Sequence, residues 1–312
     1  MKSQFYNEDA FETMKRIETG SINLIICDGP YFKICGGFDW AFKTMKEWID
    51  WNILLRDEFE RIMADNGSLF VFGDEKNIAY LQVEFDKKFN LLNSIVYRKV
   101  NASTIKGIME FNSFAPITER ILFYDKGENK TGLEMIKKIM PNPFAEYLQS
   151  ELLRHFGTIA EIRKFVVNVL KMDSAMVNRW FNGDSIISEE KYLFTREYLS
   201  NKYLRKDYED LRKEYEDLRR PFNNKFRLTD VIDAKLKSSF HPTTKDGAVI
   251  EKLILTTTKE SDLVFSPFVG SGTDRIASYN TKRQFIGCEL DENYFRQAEQ
   301  RYQEHIRQRS LF

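Results

Sequence analysis

The sequence has little of what secreted, zinc-binding or membrane proteins usually contain. It holds three cysteines (Cys27, Cys35 and Cys288) without paired spacing, and only three histidines. This scarcity argues against a disulfide framework and a zinc site, so we expect free thiols in a reducing cytoplasm and no metal. No apolar run approaches the roughly 20 residues of a membrane helix, and no apolar signal-peptide core follows Met1. We therefore predict a cytoplasmic protein with no membrane partner.

An excess of charge of one sign is also missing. The 47 Lys and Arg residues balance 47 Asp and Glu residues, which gives a net charge of zero. Any contact with nucleic acid must therefore come from a local basic patch. Hydrophobic residues, in contrast, make up 42% of the 312 residues and aromatic residues 14%, which favours a large ordered core over disorder.

Short apolar runs alternate with helical patterns at both ends of the chain. Buried strands are predicted at 23–27, 68–72, 91–97, 120–124, 263–265 and 284–288. Helices are predicted at 10–17, 46–63 and 291–309. This alternation is typical of an α/β protein with a doubly wound, Rossmann-like sheet.

The strand pattern stops between residues 143 and 222, where helical patterns take over. We therefore predict one α/β domain built from residues 1–142 and 223–312, with a helical insertion at 143–222. Two near copies of a seven-residue segment, 206–212 and 213–219, place tyrosine and leucine on one heptad seam. Two heptads are too short for an independent coiled coil, so this seam either packs on its own domain or forms a dimer contact.

Residues 158–181 of the insertion fit a helix-turn-helix, with the turn at 170–173. Asn178 and Arg179 on its second helix are side-chain types that read adenine and guanine in the major groove. This predicts contact with double-stranded DNA. A plain helical packing unit is the alternative interpretation of the same pattern.

The first segment that carries chemistry is Asp28-Gly29-Pro30-Tyr31, directly after a predicted strand. Open α/β sheets bind ligands at the carboxyl ends of their strands. The Asp28 carboxylate and the neighbouring Gly29 carbonyl can accept the two hydrogens of a planar amine, and Tyr31 can stack on its ring. The segment predicts group transfer to the amino group of a DNA base, which must leave the duplex. A simple tight turn is the alternative, since Asp, Gly and Pro all form turns.

The second segment, Ser266 to Thr273, also follows a predicted strand. Gly270 and Gly272 allow a ligand to approach main-chain amides closely. Glu289 ends the next strand about 20 residues later, a spacing typical of an acidic residue that binds a ribose. A nucleoside-containing cofactor is therefore expected, with an ordinary strand-to-helix turn as the alternative. A dinucleotide fingerprint would have a third glycine where Arg275 stands.

Two shorter segments add weaker signals. His241 and Lys245 can hold a cofactor carboxylate, with Thr243 hydrogen bonding beside them. Asp9 can accept a hydrogen bond from the amino group of an adenine ring. Taken singly, these residues also fit a surface turn and a helix N-cap.

Together the four segments resemble the DNA amino-methyltransferases of bacteria and phages, in the beta-type arrangement with the catalytic motif first and the cofactor motif last. Asp28 to Tyr31 matches the family's Asp-Pro-Pro-Tyr, Ser266 to Thr273 its Asp-Pro-Phe-x-Gly-Ser-Gly-Thr, and His241 to Lys245 its His-Pro-Thr-x-Lys. The resemblance implies S-adenosyl-L-methionine as cofactor and leaves a homodimer and a cognate restriction endonuclease open as partners. The cofactor residues that it implies are Asp9, His241, Thr243, Lys245, Phe265, Ser266, Phe268, Gly270, Ser271, Gly272, Thr273 and Glu289.

The chain departs from this family pattern at two positions. Gly29 replaces a proline, which keeps the carbonyl but loses rigidity. Ser266 replaces an aspartate, which removes a negative charge near the methionine part of the cofactor and is expected to weaken cofactor binding. Asp28 favours adenine N6 as the methylated atom, since cytosine-N4 enzymes of the family usually carry serine there. Cytosine-N4 methylation, methylation of RNA or of a protein glutamine, and a weakly active or inactive DNA-binding relative are the alternatives.

Overall fold

The structure is a computed structural model that describes residues 2–34, 41–100, 114, 116–127, 142–235 and 239–309, so Cys35 lies outside the described residues. The strands in these ranges are β1 (Ser3–Tyr6), β2 (Ile22–Cys27), β3 (Met63–Gly73), β4 (Phe89–Lys99), β5 (Thr118–Lys126), β6 (Val231–Ala234), β7 (Leu263–Ser266) and β8 (Gln284–Cys288). The helices are α1 (Ala10–Lys15), α2 (Met45–Ile62), α3 (Ile78–Phe85), α4 (Pro143–Phe156), α5 (Ile159–Asn168), α6 (Ala175–Phe181), α7 (Glu189–Tyr198), α8 (Tyr208–Leu218), α9 (Gly247–Thr257), α10 (Thr273–Asn280) and α11 (Glu292–Arg309). None of the helices described here is long and apolar enough to cross a membrane.

Contacts between residues divide the chain into two compact units. The first consists of Met1–Met135 and Arg220–Phe312 and holds all eight of the described strands. The second, Ile136–Arg219, is helical and holds α4 to α8. The insertion predicted from the sequence, 143–222, differs from this second unit by a few residues at each end.

The sheet of the first unit is mixed, with the strand order β1-β8-β7-β2-β3-β5-β4-β6. The strands from β1 to β3 in this order are parallel, whereas β5 runs antiparallel to both β3 and β4. Because successive strand residues point to opposite faces, β2 contributes to a core on each side of the sheet. Ile25 packs in the core that includes Leu55 of α2, and Leu24 in the core that includes Ile250 of α9. The predicted doubly wound α/β class is confirmed.

The order of the strands opens a crevice between β2 and β7. These two strands are neighbours, with Ile25 opposite Phe265. From β2 the chain continues to β3 on one side of the crevice, and from β7 to β8 on the other. Ligands bind at such a divergence, outside the carboxyl ends of the strands. Asp28 follows β2 and Pro267 follows β7, so the two main motifs begin side by side.

The helical unit forms its own apolar core. Val177 and Trp180 of α6 are buried in it. The neighbouring helix α5 begins after Thr158, whose hydroxyl accepts a hydrogen bond from the Glu161 amide. Residues 169–174 connect α5 to α6, in the region where the sequence predicts the turn of a helix-turn-helix.

The heptad seam lies on α8, and most of it is used inside the helical unit. Tyr208, Leu211 and Tyr215 are buried in the core of that unit, whereas Leu218 is 41% exposed. Of the two interpretations of the seam, the structure therefore favours packing on its own unit.

Candidate active site

A cavity of about 760 Å³ lies at the carboxyl ends of β2, β7 and β8. Its size is within the range of sites for small molecules and cofactors. The predicted residues that line it are Asp9, Asp28, Gly29, Pro30, Tyr31, His241, Thr243, Lys245, Phe268, Gly270, Ser271, Thr273 and Glu289. One cavity thus brings together segments from the two ends of the chain.

Three of the predicted cofactor residues do not line the cavity. Phe265 and Ser266 are fully buried in β7. Gly272 is the N-cap of α10 with φ +79°, and a Cβ there would lie 3.2 Å from the Cβ of Ala298. These residues shape the turn beneath the cavity wall, because the side chains of Phe265 and Ser266 are buried and Gly272 has none.

The turn after β2 is held in place by its own side chains. The Tyr31 hydroxyl donates to Oδ1 of Asp28 at 2.8 Å, and the indole N–H of Trp48 donates to the Pro30 carbonyl at 2.9 Å. Tyr31, expected to stack on a base, is only 8% exposed. Burial and the negative charge of Asp28 raise the pKa of Tyr31 well above its usual range, so its hydroxyl stays a donor.

Lys245 has different partners from those that the sequence predicted. Its ammonium lies 2.8 Å from Oδ2 of Asp28 and 3.2 Å from Oε2 of Glu119. Burial alone would lower the pKa of Lys245, but the two carboxylates outweigh burial and raise it. These carboxylates compensate the buried ammonium, which requires nearby negative charge, and the contact with a cofactor carboxylate stays a prediction.

Glu119 is a site residue that the sequence analysis missed. It lies near the start of β5, next to Lys245 and 2.6 Å from the ammonium of Lys99 on β4. Burial tends to raise its pKa, but Lys245 and Lys99 offset burial and lower it. A charged residue just before the predicted strand at 120–124 was the available signal. Its contact with Lys99 depends on the pairing of β4 with β5.

The turn after β7 contacts the end of β8 through Glu289. The Gly270 amide donates to Oε2 of Glu289 at 2.9 Å, and the Asp291 amide donates to Oε1 at the same distance. Burial raises the pKa of Glu289. Gly270 has φ +49°, and a Cβ there would lie 3.1 Å from Nε2 of His241, so glycine keeps this part of the cavity open.

Asp274, in the first turn of α10, is a second site residue that the sequence analysis missed. It lines the cavity although it is only 7% exposed, and its Oδ2 accepts a hydrogen bond from the Ser266 hydroxyl at 2.8 Å. Burial raises the pKa of Asp274 to about 7. The sequence shows only an acid in a first helical turn; its burial against the cavity comes from the packing of α10.

Asp9 and His241 both line the cavity, and both have structural partners. Asp9 is the N-cap of α1 and accepts a hydrogen bond from the Phe11 amide. His241 packs its ring 4.5 Å from that of Tyr294, and the Thr243 amide donates to its Nδ1. Burial lowers the pKa of His241, which favours the neutral imidazole at pH 7.

Aromatic side chains form one wall of the cavity. The rings of Trp51 and Phe268 lie 5.5 Å apart, and Phe42 lies 5.2 Å from Trp51. The main chain of Gly29 passes next to Phe268, so that a Cβ on Gly29 would lie 3.1 Å from that ring. Of these three aromatic residues, only Phe268 was predicted as a site residue. Trp51 falls at the helical spacing that is typical of core residues, so the sequence did not mark it as part of a site. Such a wall suits a flat heterocycle.

Asn178 and Arg179 lie in the helical unit and are both exposed on α6. The guanidinium of Arg163 on α5 donates to Oδ1 of Asn178 at 3.0 Å. The two residues predicted to contact DNA are therefore on the surface of their own unit.

A family model described as DNA methylase, N6_N4_Mtase, matches residues 22–300. The chain belongs to this family. The prediction of a DNA amino-methyltransferase is therefore confirmed at the level of the N6_N4_Mtase family.

The Type II methyltransferase M2.DpnII of Streptococcus pneumoniae is 32% identical over 324 residues, covering 96% of this chain and 92% of the relative. The DNA adenine methyltransferase YhdJ of Escherichia coli K12 is 24% identical, covering 92% of this chain and 78% of the relative.

Solved structures of other methylases share the fold of this N6_N4_Mtase member. The PvuII DNA methyltransferase, described as cytosine-N4-specific, aligns with a TM-score of 0.56 at 12% identity, covering 97% of this chain and 86% of that one. A DNA modification methylase of Thermus thermophilus, TTHA0409, solved with S-adenosyl-L-methionine, aligns with a TM-score of 0.52 at 17% identity, covering 97% and 94%.

Proposed function

We propose that the chain is a site-specific DNA methyltransferase that transfers the methyl group of S-adenosyl-L-methionine to N6 of an adenine flipped out of double-stranded DNA. One observation carries the proposal: the carboxylate of Asp28 and the glycine-lined turn at Gly270 open into the same cavity. An acceptor for an amine and a cradle for a nucleoside cofactor must adjoin each other if a group is to pass directly between them.

The cavity fits the cofactor in its shape and its charges. The absent side chain of Gly270 leaves room beside His241, and the Glu289 carboxylate is fixed by two main-chain amides where a ribose diol would bind. Asp9 lies on the wall as an acceptor for the adenine amino group. When bound, the cofactor supplies an electrophilic methyl group carried on a sulfonium.

The part of Asp28 in the reaction is to bind the target amine and stabilise the charge that develops on it. A carboxylate has about four acceptor positions, and Tyr31 and Lys245 each use one, which leaves capacity for an amine hydrogen. As the bond between the amine nitrogen and the methyl carbon forms, the carbon–sulfur bond would break and leave a neutral thioether; the nitrogen becomes positive, and the negative carboxylate stabilises it. The proton that then leaves this nitrogen is held at a carboxylate oxygen of Asp28. The Gly29 carbonyl is the second acceptor.

The choice of adenine rests on Asp28, because cytosine-N4 members of the family usually carry serine at that position. The similarity to the Escherichia coli adenine methyltransferase supports the same choice. The aromatic wall of Phe42, Trp51 and Phe268 holds flat rings in either case, so it does not separate the two bases.

The helical unit is the part that we propose selects the DNA site, with Asn178 and Arg179 of α6 reading base edges. Both side chains are exposed, and Arg163 orients Asn178 through a hydrogen bond. The similarity to Type II methyltransferases supports a cognate restriction endonuclease as a further partner.

The test is expression in a host without DNA methylation, followed by sequencing of its DNA for modified bases. N6-methyladenine at one short sequence motif is the expected result, absent with the Asp28→Ala variant. N4-methylcytosine would overturn the choice of adenine and keep the reaction class. Unmodified DNA, together with no methyl transfer from labelled cofactor by the purified protein to DNA of the host genome, would overturn the proposed activity.

A further inference from the structure

Asp274 is a buried carboxylate that the mechanism above does not use. It is 7% exposed and lines the cavity, and among the residues that the structure describes its carboxylate has one hydrogen-bond partner, the Ser266 hydroxyl at 2.8 Å. Burying a carboxylate is costly unless a cation or several donors compensate. One neutral hydroxyl is little compensation, so the site as it stands has an unmet demand for positive charge.

The lysine that lines the cavity, Lys245, already has two carboxylate partners. The ammonium of Lys245 lies 2.8 Å from Asp28 and 3.2 Å from Glu119, and it influences Asp274 only through space. The position of Asp274 in the first turn of α10 gives some stabilisation from the helix dipole. An acidic residue that only interacted with the helix dipole would gain nothing from burial, and it would not need to face a cavity.

Ser266 and Asp274 together indicate which carboxylate takes the place of the aspartate in the family's cofactor motif. Serine stands at the motif position where the family pattern has aspartate, which led us to expect weaker cofactor binding. The two side chains touch, so a carboxylate lies within one hydrogen bond of that position. Asp274 therefore places a carboxylate at the start of α10, one hydrogen bond from the end of β7, and the Ser266 hydroxyl donates to it.

We propose that Asp274 is the cofactor-binding carboxylate of this chain and pairs with a cationic group of the methionine part of S-adenosyl-L-methionine. This inference rests on the proposed function and adds a residue to it. Since hydrogen bonds to charged groups are worth roughly 1.5–3 kcal/mol, and each 1.4 kcal/mol is a factor of ten, loss of the charge should weaken binding about 10- to 100-fold.

The test is calorimetric titration of the purified protein with three ligands. Asp274→Asn keeps the shape of the side chain and its contact with Ser266 but removes the charge. We expect S-adenosylmethionine to bind about 10- to 100-fold more weakly to this variant, while 5′-methylthioadenosine, which has neither ammonium nor sulfonium, binds within about twofold of the wild type. S-adenosylhomocysteine distinguishes the two cations: it weakens in parallel if the ammonium is the partner and stays unchanged if the sulfonium is.

Two further variants keep the test decisive. In Ser266→Asp with Asp274→Asn, the charge returns to the family position, and we expect most of the affinity for S-adenosylmethionine to return with it. Glu260→Gln removes a carboxylate that is 60% exposed at the surface and should change none of the titrations. Equal weakening of all three ligands by Asp274→Asn, or no change in any, would overturn the assignment. A wild-type protein that binds no S-adenosylmethionine would instead overturn the proposed function.

Discussion

Asp28 and Lys245 form an ion pair with a buried ammonium and a partly exposed carboxylate, with 2.8 Å between Oδ2 and the ammonium nitrogen. Asp28 follows the central strand β2, whereas Lys245 precedes α9 near the other end of the chain. The pair links the predicted catalytic turn to the segment that the sequence assigned to the cofactor. Glu119 of β5 contacts the same ammonium, so Lys245 lies between two carboxylates from different parts of the chain.

Lys245→Met should destabilise the protein by about 1–3 kcal/mol at pH 7, because it removes the cation that Asp28 and Glu119 share, while Glu119 keeps its pair with Lys99. The pKa of Glu119 is lowered from its ordinary value of 4.5, so the stability contributed by its pairing is present above that pH and lost as the pH falls below it. The difference from the wild type in urea unfolding should therefore be smaller at about pH 3 than at pH 7. Lys88→Met breaks an exposed pair with Glu60 and should cost less than about 1 kcal/mol at both pH values. If Lys245→Met lowered the free energy of unfolding no more than Lys88→Met, a larger contribution from the ion pairs of Lys245 would be contradicted.

Asp28→Asn should reduce the methyl-transfer rate on the order of 10²–10³-fold, because an amide stabilises a developing positive charge far less than a carboxylate does. Affinity for S-adenosylmethionine should change little in comparison. Single-turnover transfer from labelled cofactor measures the first quantity and calorimetry the second. Asp50→Asn, on the exposed side of α2, is the matched control and should keep full activity. Near-normal turnover of Asp28→Asn would contradict the assigned acceptor.

Gly29→Ala should impair the site through Phe268. A Cβ at this position would lie 3.1 Å from the ring, so the ring must shift, and overpacking of this kind costs about 1–3 kcal/mol. We expect a lower melting temperature and a raised KM for S-adenosylmethionine. Phe268→Leu in the same protein should restore part of the melting temperature, and a purely additive double variant would show that the two residues do not interact.

Binding of S-adenosylmethionine should strengthen as the pH rises toward 7 and level off above it. The pKa of Asp274 is about 7 in the free protein, and a bound cation would lower it, so the complex holds fewer protons than the free protein. The charged groups that act on Asp274 are Asp28, which follows β2, and Lys245, which precedes α9, while Ser266 of β7 donates to it. His241 and Glu289 also line the cavity, so calorimetry from pH 5.5 to 8.5 is compared between the wild type and Asp274→Asn. The same slope in both proteins would exclude Asp274 as the titrating group.

Asn178→Ala combined with Arg179→Ala should reduce the affinity for the DNA sequence that the protein methylates. The loss should be about 10- to 100-fold relative to the affinity for a scrambled duplex, as expected for loss of a bidentate base contact. Affinity for S-adenosylmethionine should be unchanged, since both residues lie in the helical unit. Fluorescence anisotropy with the two duplexes measures the ratio. Lys213→Ala on α8 serves as a control for the general loss of positive charge. Equal weakening on both duplexes would indicate phosphate contact instead of base reading.

The long strands and both main motifs could be predicted because each is a local pattern. The buried strands β2, β3 and β8 are apolar runs, and the motifs that follow β2 and β7 consist of adjacent residues. The edge strands β1 and β6 have only four residues each, and neither carries a pattern that separates it from a loop. Their pairing with β8 and β4 is a long-range event that local sequence does not record.

The partners of the site residues were harder to predict than the residues themselves. Glu119 and Asp274 were missed because an acid on a strand or in a first helical turn is common, and only its surroundings make it part of a site. Lys245 was found, but its ion pairs with Asp28 and Glu119 were not, because these carboxylates come from other parts of the chain, after β2 and on β5.

The sequence by itself determined the α/β class, the family, and the two loops that face the cavity, since these follow from residue types at short spacing. Tertiary structure alone decided which charges meet: the ion pair of Asp28 with Lys245, and the carboxylate of Asp274 beside the hydroxyl of Ser266. The physical reason is that burial changes what a charge requires. A carboxylate or an ammonium in water is satisfied anywhere, whereas a buried one depends on the few groups that the fold places within about 3 Å of it.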